Sequence, residues 1–256
     1  MVTAYAAGLL AVLAALTGLW LVSLRLKDSS IVDIFWSLGF ILVAAIYAAL
    51  TPDGLRERKI LMLVMVTAWG LRLSLHLYRR NRGRPEDYRY AAWRTQYGAA
   101  WPIRSLFQVF WLQAILLWIV SAPLLAAQGS SAPLGLLDAV GFVGWCVGLA
   151  FEAVGDYQLA RFKADPANKG RVLDTGLWRY TRHPNYFGDA VVWWGIYLVA
   201  LSAGGWWSIY GPALMTYLLV RVSGVAMLER DLKQKKPEYA EYIRRTSAFV
   251  PMPPKA

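Results

Sequence analysis

Gly176-Leu177-Trp178-Arg179-Tyr180-Thr181-Arg182-His183-Pro184-Asn185-Tyr186-Phe187-Gly188-Asp189 is a basic, aromatic segment set between two long apolar runs. Asp174 and Thr175 precede it, and Gly176 marks a turn. Pro184 disfavours helix at His183 and suits the first turn of a helix, so a helix is expected to begin at Pro184 or Asn185. The apolar stretch from Ala190 to Leu201 continues that helix. Arg179, Arg182, His183, Asn185 and Tyr186 then gather around a helix N-terminus at the mouth of a membrane. Backbone amides at such an end, with arginines nearby, suit a phosphate. The plainer alternative is a basic membrane-surface loop that only sets topology.

Outward from this segment the chain is apolar. Its 256 residues are 57% hydrophobic with a net charge of +11, and the mean hydropathy is +0.38. About 20 apolar residues cross a bilayer as one helix. Seven runs qualify, at about 4–24, 31–50, 59–78, 106–127, 135–160, 187–204 and 206–227. Arg72 and His76 interrupt the third run, and the fifth carries Asp138, Glu152 and Asp156. The expected fold is all-α: a polytopic membrane protein of about seven transmembrane helices in one membrane domain spanning 1–256.

Charge asymmetry sets the expected orientation. Arg79, Arg80, Arg82, Arg84, Arg89, Arg94 and Arg104 lie between runs three and four, against only Glu86 and Asp87. Arg161, Lys163, Lys169, Arg171, Arg179 and Arg182 lie between runs five and six, and a further basic cluster follows run seven. The connections from Ala127 to Pro133 and from Ser202 to Gly205 carry no charge. By the positive-inside rule the basic segments are cytoplasmic, the N-terminus is outside and the C-terminus is cytoplasmic. Arg56, Arg58 and Lys59 depart from this pattern, being basic on the outer side. The first run lacks a basic front and is followed by Arg25 and Lys27, as in a retained helix rather than a signal peptide. The expected location is the cell inner membrane.

The excess of positive charge thus has a topological explanation and a membrane-lipid partner, and nucleic acid is not expected. Nor is an obligate protein partner. Cys146 is the single cysteine and is expected to be buried in run five, so no internal disulfide can form. The two histidines, His76 and His183, lack metal-binding spacing, and no metal is expected.

Several polar groups stand out against the apolar background. Asp33 opens run two, with Trp36, Ser37 and Phe40 on its helical face; it is either the acid of an aromatic pocket or a charge complementing the helix N-terminus. Arg72 and His76 are four residues apart in run three, with Tyr78 at the membrane edge. Asn81-Arg82-Gly83-Arg84-Pro85 places two arginines around a glycine, an arrangement able to grip a phosphate. In run five, Glu152, Asp156 and Lys163 share one helical face that is too polar for lipid. Carboxylates here can take the ribose hydroxyls or amide of a nucleotide, or Asp156 can pair with Lys163 along the helix. Run seven contributes Arg221, and Glu229 follows it. The tail from Tyr239 to Pro251 is amphipathic, as in a helix lying on a membrane face.

These residues resemble the C-terminal domain of the steroid 5-alpha-reductase family, in its bacterial branch of DUF1295-type membrane proteins. The likeness covers Gly148 to Pro251: Asp156-Tyr157 with Leu159, then Arg182 to Asp189, Trp194-Gly195-Ile196-Tyr197, Arg221 and the closing Phe249-Val250-Pro251. Asn81 to Pro85 looks like the family's arginine loop. The resemblance implies seven membrane helices and NADPH in a cytoplasm-facing cavity. It implies reduction of a carbon–carbon double bond conjugated to a ketone, in a steroid-like or other lipid substrate drawn from the bilayer. Helices within 1–130 would face substrate and 135–256 would bind the cofactor. Carried over by position, Asp156, Lys163, Asn185, Asp189 and Arg221 would hold NADPH, with Arg82 and Arg84 near its phosphates. Glu152, Arg179, Arg182, His183, Tyr186 and Glu229 complete the candidate cofactor set. The chain has Glu152 where the family more often has Asn, Lys163 in place of Arg, and Asp189 in place of Glu. The steroid-reducing members' Gln-Glu pair is missing, so Asp33 and Tyr78 are the candidate catalytic residues.

A membrane methyltransferase of the isoprenylcysteine carboxyl type is the alternative. Its relatives share Arg-His-Pro-x-Tyr followed by a late Glu, matched here by Arg182-His183-Pro184-Asn185-Tyr186 and Glu229, and they bind S-adenosylmethionine. Asn185, the Asp156-Tyr157 helix and the arginine loop favour the reductase. A transporter or scaffold would explain the bundle but not the clustering of polar groups.

Overall fold

The computed structural model describes residues 1–222, 225 and 239–255. Helices dominate, and the β pairing among the described residues is one isolated bridge between Thr181 and Ser247. Five helical stretches among the described residues are long and apolar enough to cross a membrane. They are α1 (Val2–Leu26), α2 (Ile31–Leu50), α3 (Arg56–Asn81), the interrupted α4 (Tyr88–Gln128) and α5 (Leu136–Ala164). Next come α6 (Pro184–Ser202), α7 (Tyr210–Tyr217), which runs on as a π turn over Leu218–Val222, and α8 (Tyr239–Arg245). Pro184, Asn185, Gly188 and Asp189 give the start of α6 its polar character. The seventh apolar run opens as a 3-10 turn over Trp206–Ile209, which Gly205 precedes. The chain divides into two compact units, Met1–Gly135 with Ala200–Tyr210, and Leu136–Val199 with Gly211–Ala256.

In the first unit α2 packs against both α1 and α3, and α4 closes on α1 and α2. With lipid as solvent, apolar burial gives little preference for one neighbour over another, so close backbone approach and internal hydrogen bonds matter more. Small residues supply both. A Cβ on Gly8 would stand 2.6 Å from the Tyr47 ring, and one on Gly70 would stand 2.9 Å from the Ser37 carbonyl. The Ser37 hydroxyl donates to the Gly70 carbonyl at 2.9 Å. Tyr47 and Ser121 share a hydrogen bond of 2.9 Å between their hydroxyls. Tyr5 stacks on Trp118 with centroids 4.2 Å apart, and the indole donates to the Tyr5 carbonyl at 2.9 Å. Phe40, Met62, Met65, Trp69, Phe110 and Leu117 fill the interior.

The basic cluster that departed from the charge pattern has a structural use. Arg58 is wholly buried. It donates to the carbonyls of Ala132 at 2.7 Å and Pro133 at 2.9 Å. Lys59 donates to the Thr51 carbonyl. These cations satisfy carbonyls that helix ends and turns leave open.

In the second unit α5 and α6 meet along a glycine seam. Gly141, Gly148 and Gly155 recur every seven residues on α5, and Gly188 and Gly195 do so on α6. A Cβ at Gly148 would lie 2.6 Å from the Val192 nitrogen and 2.7 Å from the Gly188 oxygen. A Cβ at Gly141 would lie 2.7 Å from the Gly195 oxygen. Backbone therefore meets backbone, and Val192, Trp193 and Ile196 are buried beside the seam. The seam also corrects the expectation for Cys146. That residue is exposed, because five positions after Gly141 and two before Gly148 a side chain points away from the packed face.

Candidate functional site

The segment leading into α6 is built locally and then clasped by the tail. Gly176 adopts φ +62°, the left-handed conformation that glycine tolerates, and starts a 3-10 turn over Gly176–Arg179. The side chain of Gln158 on α5 accepts the Leu177 amide at 3.1 Å, and the Trp178 indole donates to the Gly155 carbonyl at 3.1 Å. Thr181 pairs with Ser247, and the Arg182 amide donates to the Ser247 carbonyl at 2.9 Å. The Thr181 hydroxyl donates to the Phe249 carbonyl at 2.8 Å. Tyr242 on α8 donates its hydroxyl to the Trp178 carbonyl. Phe187 packs edge-on against Phe151 and Phe249. The tail thus fixes the approach to α6 as well as lying beside it.

This clasp decides what Arg182 does. It is buried and directs Nη1 to the carbonyls of Ile243 at 3.2 Å and Thr246. Its guanidinium holds tail backbone. His183 is also buried, its ring stacked on Tyr186 with centroids 5.6 Å apart. Arg179 is exposed.

The polar groups of the sequence motif meet at the start of α6. Asn185 donates its side-chain amide to Asp156 Oδ1 at 3.0 Å. Asn185 Oδ1 is buried and has no hydrogen-bond partner among the described residues. Glu152 and Asp189 are buried on the same two helices, where Gly188 abuts the Glu152 backbone. The i,i+4 spacing places Glu152 with Asp156 on α5 and Asn185 with Asp189 on α6. Lys163 lies two turns beyond Asp156 and is exposed. Arg221 is exposed in the π turn after α7. Glu229 lies outside the described residues.

The remaining candidates belong to the first unit. Arg82 and Arg84 are exposed on the α3–α4 connection, where Gly83 turns with φ +75°. Tyr78 is half-exposed at the end of α3. Asp33 accepts the Tyr90 hydroxyl at 2.8 Å and Arg89 Nη2 at 3.0 Å. Arg89 also binds Asp87 at 2.9 Å. Next to it, Arg94 donates twice to Glu86, at 2.9 and 2.8 Å, and Glu86 accepts the Ser29 amide at 2.7 Å. For both Glu86 and Asp87, burial pushes the carboxyl up, but these donated hydrogen bonds outweigh it and hold both below the ordinary range. Held in this way, Asp33 is an acceptor already serving two donors. Trp36, Phe40 and Trp69 pack on one another beyond it, and Phe40 and Trp69 are fully buried.

Reading the sequence missed Arg89 and Tyr90 as the partners of Asp33. The available signal was the pair of acids, Glu86 and Asp87, inside an otherwise basic loop. It also missed the tail's hold on Arg182, which no local pattern announces.

No solved structure matches the chain. Among curated proteins, an uncharacterized protein of Schizosaccharomyces pombe is 27% identical over 264 residues, covering 91% of this chain and 75% of that protein. The probable O-methyltransferase ustE of Ustilaginoidea virens is 36% identical over 113 residues, covering 44% of this chain and 35% of that protein. The family model described as "Protein of unknown function (DUF1295)" matches residues 19–246. With that match spanning most of its length, the chain belongs to the DUF1295 family, which is of the steroid 5-alpha-reductase-like type.

Proposed function

We propose that the protein is an inner-membrane, NADPH-dependent reductase of a carbon–carbon double bond conjugated to a ketone, acting on a steroid-like or other lipid substrate. In this reading it has seven membrane helices, α6 and the seventh run completing the five, with the N-terminus outside and the cofactor site facing the cytoplasm. The observation that carries it is the Asn185–Asp156 pair, with Asn185 Oδ1 left buried without a partner. A buried acceptor of this kind costs about 1–3 kcal/mol unless a donor reaches it. A ribose hydroxyl or a carboxamide N–H is such a donor, so this acceptor suits a dinucleotide. Glu152, Asp156, Lys163, Asn185, Asp189 and Arg221 would hold NADPH, and Arg82 and Arg84 would serve its phosphates. When bound, NADPH supplies a hydride. Tyr78 would donate a hydrogen bond to the substrate carbonyl, stabilising the charge that develops there, and Asp33 would keep Arg89 and Tyr90 in place.

A second reading, an S-adenosylmethionine-dependent methyltransferase, is favoured by the likeness to the probable O-methyltransferase ustE and by Arg182-His183-Pro184-Asn185-Tyr186. That cofactor also presents ribose hydroxyls, so Asn185 alone does not separate the two. The protein should be purified in detergent, and the nucleotide it retains identified by mass spectrometry and then by calorimetric titration. Binding of NADPH supports the reductase. Binding of S-adenosylmethionine with none of NADPH would replace the first reading by the second.

A further inference from the structure

The tail clasp borders an open cavity that shares only Arg179 with the candidate cofactor set. It has a volume of about 500 Å³ and is lined by Asp174, Thr175, Arg179, Arg245, Thr246 and Lys255. Its walls come from the turn before α6 and from the tail; one bond ties the two together and another closes the tail on itself. Tyr242 donates to the Trp178 carbonyl, and the Lys255 amide donates to the Arg245 carbonyl at 2.9 Å. Three cations face one carboxylate in this lining. Arg245 sits 3.8 Å from Asp174 and 3.5 Å from Glu241. The Arg179 and Lys255 side chains make no ion pair among the described residues.

We infer that this cavity is a binding site for a phosphate ester. Like charges gathered on a folded framework repel each other, and two of these cations make no ion pair among the described residues. An anionic phosphate ester relieves that repulsion and draws on donors of two kinds. Arg179 and Arg245 offer planar forks that match two phosphate oxygens at once, and Lys255 offers a point charge. The hydroxyls of Thr175 and Thr246 lie in the same wall. The volume admits a phosphate with its esterified group, where a lone inorganic ion would leave most of the space empty. A phospholipid headgroup and a soluble phosphomonoester share this chemistry. The inference does not depend on which cofactor the Asn185 site takes: of the candidate cofactor residues only Arg179 lines the cavity, and Glu152, Asp156, Asn185 and Asp189 do not.

The test uses the full chain in detergent, titrated with inorganic phosphate against chloride at matched ionic strength, because such contacts are screened by salt. Binding should be saturable and weaken about tenfold or more in the Arg179→Gln Lys255→Gln variant, the loss expected for a charge-assisted contact. Asp174→Asn should act in the opposite direction and tighten phosphate severalfold. The variants change exposed side chains, so loss and gain in one fold separate recognition from misfolding. In a second arm, wild type and the double variant are reconstituted with phosphatidylcholine containing phosphatidylglycerol, re-extracted and weighed by native mass spectrometry. Loss of retained phosphatidylglycerol in the variant assigns the cavity to a headgroup, and retention unchanged beside lost phosphate binding assigns it to a soluble ester. If neither phosphate affinity nor lipid retention responds to the substitutions, the inference is wrong.

Discussion

Asn185 Nδ2 donates to Asp156 Oδ1 across 3.0 Å, tying the first turn of α6 to the last third of α5. One amide thereby performs two tasks. Its nitrogen orients a carboxylate, and its oxygen is left as an acceptor facing away from that bond. Asn185→Ala and Asp156→Ala should each weaken the retained nucleotide by about 1–3 kcal/mol, the cost of one lost buried hydrogen bond. The double variant should lose less than the sum, because the two residues act as one unit. Calorimetry on folded variants decides this; unchanged affinity in both would remove the pair from the site.

The glycine seam gives a prediction on stability with an internal control. Gly144 and Gly148 lie one turn apart on α5, but a Cβ on Gly144 meets nothing within 4 Å while one on Gly148 meets the α6 backbone. Gly144→Ala should be neutral or stabilising by about 0.5–1 kcal/mol, the usual gain of alanine over glycine inside a helix. Gly148→Ala should destabilise by about 1–3 kcal/mol through overpacking. Thermal unfolding in one detergent compares them directly. Equal behaviour of the two variants would mean that α5 and α6 are not in backbone contact.

How far this architecture could be read in advance depends on where each signal lies along the chain. The start of α6 was legible because Pro184 acts through its own backbone. The basic loops were legible because charge asymmetry is a local count. The polar face of α5 was legible from Glu152 and Asp156, but the glycine heptad was not read, and Cys146 was therefore expected to be buried where it is exposed. The Asp33–Arg89 pair was not legible, because many arginines compete for one acid and only folding selects among them. The role of Arg182 was hidden for the same reason: a guanidinium next to a helix N-terminus suits a phosphate and a backbone carbonyl equally well, and its partners come from the distant tail.

Acid should loosen the α1–α2 turn from the α3–α4 connection. Glu86 is held below its ordinary pKa by Arg94 and the Ser29 amide despite its burial. A depressed folded-state pKa contributes stability above the unfolded-state value and loses it as pH falls through the folded one. Stability should therefore drop as pH falls below the ordinary carboxylate range. The acid limb should be shallower in Glu86→Gln, which has no proton to bind there. Unfolding midpoints of both proteins across an acid pH series would show it, and parallel acid limbs would exclude Glu86 as a contributor.

Orientation can be tested with single cysteines on a Cys146→Ser background, needed because the native thiol is exposed. Reporters at Ser130 and Gly204 lie in the uncharged connections and should react from the periplasmic side. Reporters at Arg94, Asn168 and Lys255 lie in or beside basic segments and should react only once the inner membrane is opened. Reaction at position 168 from outside would invert the topology and move the Asn185 cluster to the other face.

The proposed preference for NADPH over NADH rests on the arginine loop. NADPH differs from NADH by a 2'-phosphate, which an arginine fork can hold through two oxygens. Arg182 Nη1 is engaged with tail carbonyls, and Arg82 and Arg84, exposed on either side of Gly83, are the pair proposed for that phosphate. Arg82→Ala with Arg84→Ala should weaken NADPH about ten- to a hundredfold, the equivalent of roughly 1.5–3 kcal/mol for one charge-assisted contact, and leave NADH nearly unchanged. Both titrations need the same low ionic strength, because exposed charges are screened within about 10 Å at 0.1 M salt. An equal loss for the two cofactors would place these arginines on the shared pyrophosphate. No loss for either would leave them the topological role that basic membrane flanks commonly have.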